Sequence, residues 1–269
     1  ARTQSIEAVF ALNGGERAEG TLRISPWESQ DYAFPGEKKE FTAPFRTENG
    51  CVRLTVPLPE VELWSPAKPC LYAFEVRDAG GRILGLERFG MAELVTANGR
   101  LLLNGKDIFL SGLNAHHSMF DFTAGGNPAE VAARGLLYNR DNSGRAVLRE
   151  RKKAGLVYMR IHTGPAAPWC FSICDEEGLI TSDEWSTLNA VALDPDDPQR
   201  EVEYLYAHDY SLFFDKTGDL LPMHRKAIRK WVTGNNRFAG LLLFTAGNEM
   251  SAADPFFQRF QGFFYRLIK

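Results

Sequence analysis

The chain has 269 residues, of which 44% are hydrophobic and 24% are charged, and its formal net charge is −3. This composition is that of a globular protein with an ample core, and the weak negative charge argues against a nucleic-acid partner, which leaves a basic footprint. No run of residues approaches the ~18 apolar residues that a membrane span requires.

Residues 1–92 have the pattern of an all-β domain. Apolar and polar residues alternate in short runs at 8–12, 52–56 and 72–76, and glycine-containing turn sequences separate these runs. Short strands at this spacing, without helical periodicity between them, are typical of an antiparallel sandwich of immunoglobulin size. The sequence therefore predicts a β-sandwich domain over residues 1–92.

From residue 93 onwards, strand and helix patterns alternate. Asn104-Gly105 predicts a hairpin, and a helix cap is predicted at Asn127-Pro128. The remaining predicted elements are apolar strands at 107–113, 156–161, 178–183 and 240–246, and helices at 168–177, at 223–232 and from Asp254 to the end. Repeated strand–helix alternation predicts a parallel sheet over residues 93–269, either open or closed into a barrel.

The cysteines offer little support for a metal site. Cys170 and Cys174 are four residues apart and would share one face of a helix, but no second pair of ligands at metal-binding spacing follows. Packing is therefore the preferred interpretation. The sequence also lacks a glycine-rich phosphate loop, which argues against nucleotide use. We expect neither a metal nor a cofactor.

The sequence from Gly240 to Glu249 points most directly to chemistry. An apolar run of strand length ends on Asn248-Glu249, and Asp254-Pro255 then begins a helix. The carboxyl end of a buried strand is where α/β barrels carry catalytic groups. Asn248 can hold a substrate hydroxyl while Glu249 moves a proton, as cleavage of a glycosidic bond requires. The alternative is a buried strand with a polar cap.

A set of motifs in a fixed order resembles family 2 glycoside hydrolases, which include β-galactosidases, β-glucuronidases and β-mannosidases. The motifs span most of the chain: Leu63–Tyr72, Arg88-Phe89-Gly90, Leu103–Lys106, Ser111–His116, Met159–His162, Cys174–Leu179, Asp183–Trp185 and Gly247–Glu249. The resemblance implies an immunoglobulin-like domain at 1–92 and the first half of a TIM barrel at 93–269, with about four strand–helix units.

The resemblance also implies roles for individual residues. Glu249 corresponds to the family's general acid/base, and Asn248 to the asparagine that binds the sugar near its 2-hydroxyl. Arg160 resembles an arginine that steadies the active-site carboxylates, although a structural ion pair is the alternative. His116 resembles a histidine of the sugar pocket, and its neighbour His117 competes for that place.

The end of the third barrel strand completes the implied site. Asp183, Glu184 and Trp185 would line the mouth of the barrel, with rim packing as the alternative for Trp185. Two features differ from the family pattern: Phe244 stands where family members usually have tryptophan, and the segment 122–149 is longer and more irregular than usual. The family's nucleophile, a second glutamate after strand 7, is expected outside this chain.

The expected function is hydrolysis of terminal β-glycosidic bonds by a retaining mechanism, with β-galactosidase activity as one example. The expected partner is a carbohydrate substrate, and the resemblance implies that the full-length enzyme can form a homo-oligomer. This chain would then be an internal piece of that enzyme. One alternative is a non-catalytic carbohydrate-binding or structural fragment that needs a further segment. The other is an unrelated open α/β enzyme with an appended sandwich.

Overall fold

The computed structural model of the chain describes residues 4–12, 17–116, 144–162, 166, 168–185, 192–193, 201–202, 214–247 and 255–268. The chain divides into two compact units. The first consists of Ala1–Phe109 with Arg237–Gly240, and the second of Leu110–Asn236 with Leu241–Lys269. The segment 93–109 therefore groups with the first unit, whereas the boundary predicted from the sequence lies between residues 92 and 93.

The described part of the first unit contains nine strands. They are β1 (Ser5–Ala11), β2 (Ala18–Pro26), β3 (Phe41–Thr47), β4 (Cys51–Pro57), β5 (Leu71–Asp78), β6 (Ile83–Gly90), β7 (Leu94–Ala97), β8 (Arg100–Leu103) and β9 (Lys106–Asp107). All their pairings are antiparallel: β1 with β4, a four-stranded sheet in the order β3-β2-β5-β6, and a small sheet in the order β7-β8-β9.

Two of these sheets share one hydrophobic core. Val52 and Val56 of β4 belong to the same buried cluster as Leu22 and Ile24 of β2 and Tyr72 of β5. This arrangement follows from the period-2 alternation of β-strands, which places every second side chain on the same face. The three strand runs predicted from the sequence are thus confirmed as parts of β1, β4 and β5.

The predicted hairpin is also confirmed. It joins β8 to β9 through Asn104 and Gly105, whose φ angles of 52° and 79° lie in the left-handed region that such a turn requires. The Asn104 side chain accepts a hydrogen bond from the Glu93 amide and donates one to the Trp64 carbonyl, so the turn is anchored to neighbouring parts of the first unit.

The second unit contains a parallel sheet with a helix after each strand. Its strands are β10 (Gly112–His116), β11 (Tyr158–His162), β12 (Ile180–Glu184) and β15 (Leu241–Thr245), paired in that order. A separate antiparallel pair consists of β13 (Ala192–Leu193) and β14 (Glu201–Val202). The described helices are α1 (Gly144–Lys153), α2 (Pro168–Glu177), α3 (Pro222–Asn235) and α4 (Pro255–Ile268). None of these described helices is long and apolar enough to cross a membrane.

Most of the strand–helix pattern predicted from the sequence is confirmed. Three of the four predicted apolar strands correspond to β11, β12 and β15, and α2, α3 and α4 lie where helices were expected. The fourth, predicted at 107–113, is placed too early, because β10 begins only at Gly112. The predicted cap at Asn127-Pro128 lies outside the described residues. Segment 122–149, expected to be irregular, differs at its end, because residues 144–149 belong to α1.

Ion pairs explain why this basic segment forms a helix. Arg145 contacts Glu176 and Glu177 of α2, and Arg149 also contacts Glu177. Lys152 donates a hydrogen bond to the Glu177 carbonyl over 2.7 Å. These contacts attach a helix with few apolar residues to α2, which itself packs through buried side chains that include Cys170 and Cys174. Neither cysteine forms a disulfide bond.

Candidate active site

One face of the parallel sheet carries polar side chains. Residues paired across parallel strands point to the same face, and the face alternates along each strand. Asn114 pairs with Arg160, which pairs with Ser182. Tyr158 and Glu184 lie two residues from Arg160 and Ser182, and the Tyr158 hydroxyl is 2.8 Å from Ser182 Oγ. We call these five residues the polar face.

An ion pair occupies the carboxyl end of the polar face. Arg160 Nη2 donates to Glu184 Oε2 over 2.6 Å, and Nη1 donates to Asn114 Oδ1 over 3.4 Å. The Glu184 side chain is 0% exposed, and that of Arg160 is 26% exposed. A carboxylate removed from water requires such a partner. The pair therefore fixes the orientation of a partly exposed guanidinium across the ends of three strands.

Asp183 lies on the opposite face of β12, where it is fully buried. Its Oδ1 accepts hydrogen bonds from the backbone amides of Ala166 and Glu184, each over 3.0 Å. Its Oδ2 accepts one from Trp231 Nε1 over 2.7 Å. Loss of hydration raises the pKa of Asp183 to about 6, although the three donors act in the opposite direction.

Aromatic side chains pack on this same side of the sheet. The ring centroids of Trp185 and Trp231 are 5.4 Å apart. Trp231 of α3 also lies 5.0 Å from Phe244 of β15 and 6.0 Å from Phe264 of α4. Phe244 thus fills space beside a tryptophan of α3. These four residues form the aromatic cluster, which covers Asp183.

The strand predicted to lead into the site runs beside β12. Phe244 pairs with Asp183 and Thr245 with Glu184, and the Trp185 amide donates to the Thr245 carbonyl over 2.9 Å. Asn248 and Glu249 lie outside the described residues, although the chain is described as far as Gly247, two residues beyond β15.

The predicted site residues are distributed as follows. Arg160 and Glu184 meet on the polar face, whereas Asp183 and Trp185 lie on the side that packs against helices. The backbone of His116 pairs with His162 at the carboxyl end of β10, and its side chain lies outside the described residues. Within the described part of the chain, no group of three His, Cys, Asp or Glu side chains is arranged to hold a metal ion.

Sequence reasoning gave no role to Asn114, Tyr158, Ser182 or Trp231. The first three could have been found by stepping two residues back from a predicted site residue, since period-2 alternation places them on the same face. Trp231 could not be found in this way. It comes from α3, 48 residues beyond Asp183, and no local pattern links the two.

A pocket lies where β15 ends. It has a volume of about 430 Å³ and is lined on one side by Phe244, Thr245 and Gly247, and on the other by Phe264, Tyr265 and Ile268 of α4. The described sheet has β15 as one of its outer strands, with β12 as its described neighbour. The pocket therefore borders a strand edge next to the residues that precede Asn248.

No family model matches the sequence. Several solved structures match the fold across 98% of this chain. A Bacteroides uniformis β-glucuronidase has 17% identity and a TM-score of 0.59, and the match covers 30% of its own chain. An Eisenbergiella tayi family 2 β-galacturonidase bound to galacturonate has 19% identity and a TM-score of 0.56, with 41% covered. A family 2 member from Bacteroides cellulosilyticus has 18% identity and a TM-score of 0.56, with 31% covered.

The resemblance to family 2 glycoside hydrolases expected from the motifs is therefore confirmed in the fold, which combines antiparallel β-sheets with an α/β unit. The chain spans 30–41% of the length of these three structures.

Proposed function

We propose that this chain forms part of a retaining β-glycosidase of family 2, which hydrolyses terminal β-glycosidic bonds in oligo- or polysaccharides. The observation that carries the proposal is the Arg160–Glu184 pair, in which Arg160 of β11 contacts the residue at the carboxyl end of β12. In α/β barrels this edge carries the active site. The fold match across 98% of the chain supports the same assignment.

The finer architecture belongs to this proposal. We assign residues 1–92 to an immunoglobulin-like sandwich and 93–269 to the first half of a TIM barrel. The shared core of two antiparallel sheets supports the first assignment, and the four parallel strands, each followed by a helix, support the second. A complete barrel of this type has eight such units.

The proposed chemistry uses two carboxyl groups about 5–5.5 Å apart, as in retaining glycosidases. Glu249 protonates the leaving oxygen and later deprotonates the incoming water. A second glutamate, outside residues 1–269, attacks the sugar and forms the glycosyl-enzyme intermediate. Asn248 binds near the 2-hydroxyl of the sugar.

Arg160 and Glu184 provide the electrostatic setting of this site. Glu184 and Asn114 hold the guanidinium of Arg160 at the strand ends, where its charge favours the ionised form of a nearby carboxylate. This is the protonation state that the nucleophile needs while Glu249 carries a proton. His116, at the end of β10, completes the proposed sugar pocket.

The sugar is proposed only as a terminal β-linked residue. The similar structures include a β-glucuronidase and a β-galacturonidase, whereas the motifs are also shared with β-galactosidases. Aryl β-glucuronides, β-galacturonides, β-galactosides and β-mannosides therefore form the substrate panel with which the full-length protein is tested.

The proposal is tested by substituting the acid/base residue. Glu249→Gln is expected to abolish most turnover of substrates with poor leaving groups, while substrates with good leaving groups lose less in the first step, since they need little protonation. Glu150→Gln, on the exposed side of α1, is the matched control and should retain full activity. Equal losses for both kinds of substrate would contradict the role of Glu249.

A non-catalytic carbohydrate-binding or structural fragment is the second candidate. The pocket beside the outer strand β15 would receive a further chain segment under either candidate, because a completed barrel also adds strands at this edge. The two candidates predict different results for the same panel. A glycosidase hydrolyses at least one of the glycosides, and Glu249→Gln lowers that activity. A non-catalytic fragment hydrolyses none of them and at most binds a sugar, so Glu249→Gln has no activity to remove.

A further inference from the structure

The buried carboxylate of Asp183 joins three parts of the second unit. Oδ1 bonds to the Ala166 amide, which follows β11, and to the Glu184 amide at the end of β12. Oδ2 bonds to the indole of Trp231 in α3. All these donors are N–H groups, and hydrogen bonds of this kind to an ionised acceptor are stronger than those between neutral groups.

The polar face lies on the other side of the same strand. Asp183 and Glu184 are consecutive residues of β12, so their side chains leave the sheet on opposite faces. The amide that Asp183 binds belongs to Glu184, whose carboxylate in turn holds Arg160. A displacement of this amide therefore moves the Glu184 carboxylate and changes the direction of the Arg160 guanidinium.

We propose that Asp183 is a positioning residue that fixes the Arg160–Glu184 pair from the opposite face of the sheet, and that it does not contact the sugar. The proposal deepens the proposed glycosidase function and rests on it for its catalytic consequence. Full burial of Asp183 beneath Trp231 supports this role, because a sugar would have to displace the aromatic cluster to reach its carboxylate.

Trp231 also takes part in this positioning, through its hydrogen bond to Asp183. Its ring packs against Trp185 and Phe244 while its Nε1 is bound to Asp183. The indole therefore connects the end of β12 to α3 through one hydrogen bond and to β15 through ring contacts. In Asp183→Asn, one of the two acceptor oxygens is replaced by an NH₂ group, which is a donor. If the remaining oxygen accepts from the two backbone amides, the NH₂ group faces the indole N–H, and one hydrogen bond is lost.

The experiment compares Asp183→Asn, Trp231→Phe and the double variant in the full-length protein. Kinetics are measured with the aryl β-glycoside panel, and the Arg160 Nε–H signal is followed by ¹H–¹⁵N NMR. Asp215→Asn is the matched control, because Asp215 also accepts bonds from two backbone amides and a side chain, but at an exposed turn.

Asp183→Asn is expected to lower kcat by about 10- to 100-fold, as a small misplacement of reacting groups does, with KM changed by less than about threefold. The Arg160 Nε–H signal shifts, although Arg160 does not touch Asp183. Adding Trp231→Phe recovers part of kcat, because the facing indole donor is gone. Asp215→Asn resembles the wild type in kcat, KM and the Arg160 signal.

Three results would overturn the positioning role. The first is a raised KM with unchanged kcat, which indicates a sugar contact, and the second is a lower melting temperature with unchanged kcat, which indicates support of the fold alone. The third is an Arg160 signal identical in wild type and Asp183→Asn. If the wild type cleaves no glycoside, the proposed function fails, and the Arg160 signal alone then decides on the positioning role.

Discussion

Two buried glutamates, one in each unit, are both bound by arginine but in very different surroundings. Glu75 lies mid-strand in the antiparallel sheet and contacts Arg23 and Arg77, and its side chain is 12% exposed. Glu184 lies at the end of a parallel strand and is 0% exposed, with Arg160 as its described cationic partner. The arginines of the two clusters are similarly exposed, at 30% and 31% for Arg23 and Arg77 and at 26% for Arg160. The difference therefore lies in the carboxylates, because that of Glu75 keeps contact with solvent and has two cations.

The difference is the reason that we propose a function for the second pair and a purely structural role for the first. A central strand position flanked by two cations on a solvent-facing side needs no further explanation, because such pairs form readily and contribute little. A fully buried carboxylate at a strand end, next to a second buried carboxylate, costs free energy. A cost of this kind is found where residues have a function to perform, and it is therefore the basis for the function that we propose for the polar face.

Removing the arginines should give the largest contrast. Arg160→Met is expected to lower the free energy of unfolding of the second unit by about 3–5 kcal/mol, since it leaves a buried carboxylate without this cation. Arg23→Met should cost about 0–1 kcal/mol, because the pair is close to solvent and Glu75 keeps Arg77. Hydrogen exchange in denaturant, followed separately in β11–β12 and β2–β5, measures both. Equal losses would remove the contrast.

The change in unfolding free energy with pH that Asp183 causes should be nearly as large as the loss expected for Arg160→Met. Its pKa is about 6 in the folded chain against an ordinary 3.8, so the folded state binds this proton more tightly than the unfolded state. Stability from Asp183 is therefore highest below pH 4 and falls as pH rises through 6, by about 3 kcal/mol in total. Asp183→Asn lacks this titration.

The measurement is the difference in unfolding free energy between wild type and Asp183→Asn at pH 4.5 and pH 7.5. The comparison cancels all other titrating groups, and the wild type should lose stability relative to the variant at the higher pH. A difference that stays constant with pH would show that the Asp183 pKa is ordinary.

Two buried aromatic side chains that form hydrogen bonds, Trp231 and Tyr72, provide a smaller contrast. Trp231→Phe removes a bond to a carboxylate, and Tyr72→Phe in the first unit removes bonds to the backbone of Glu62. Bonds to charged groups contribute more than bonds between neutral groups, so the expected costs are about 2 and about 1 kcal/mol. Unit-resolved hydrogen exchange compares them, and a larger cost for Tyr72→Phe would contradict the importance given to Asp183.

The smallest effect is expected at the surface of the first unit. Glu40 pairs with Arg23 while its own side chain is about half exposed. Glu40→Gln should change the unfolding free energy by less than about 0.5 kcal/mol, because the pair is hydrated and screened by salt. A loss above about 2 kcal/mol at 0.15 M salt would mean that this charge cluster is as sensitive as the polar face.

Local patterns predicted most elements of the fold. Three of the four parallel strands were visible as apolar runs and the hairpin as Asn104-Gly105, because these signals depend on neighbouring residues only. Helix α1 was not visible, because Arg145 and Arg149 are stabilised by Glu176 and Glu177 about 30 residues away. Its basic last turn, which suits the helix dipole, was the one local sign of it.

The candidate site was only partly accessible from sequence for a similar reason. The resemblance placed Arg160 and Glu184 in one implied site, and the structure shows an ion pair between them that the sequence did not predict. The resemblance also placed Asp183, Glu184 and Trp185 together at the mouth of the barrel. Because side chains alternate along a strand, Asp183 and Trp185 instead lie on the face opposite to Glu184. The bond from Trp231 to Asp183 depends on how α3 packs on the sheet, which no residue spacing encodes. Glu249 and Asn248 remain predictions.

The most direct test of the central claim is the anomeric configuration of the first sugar released by the full-length protein. Proton NMR follows hydrolysis of the best aryl β-glycoside of the panel from its start. The account predicts that the β-anomer appears first and that Glu249→Gln removes this signal for substrates with poor leaving groups. An α-anomer appearing first, or unchanged hydrolysis in Glu249→Gln, would contradict a retaining glycosidase with Glu249 as its acid/base.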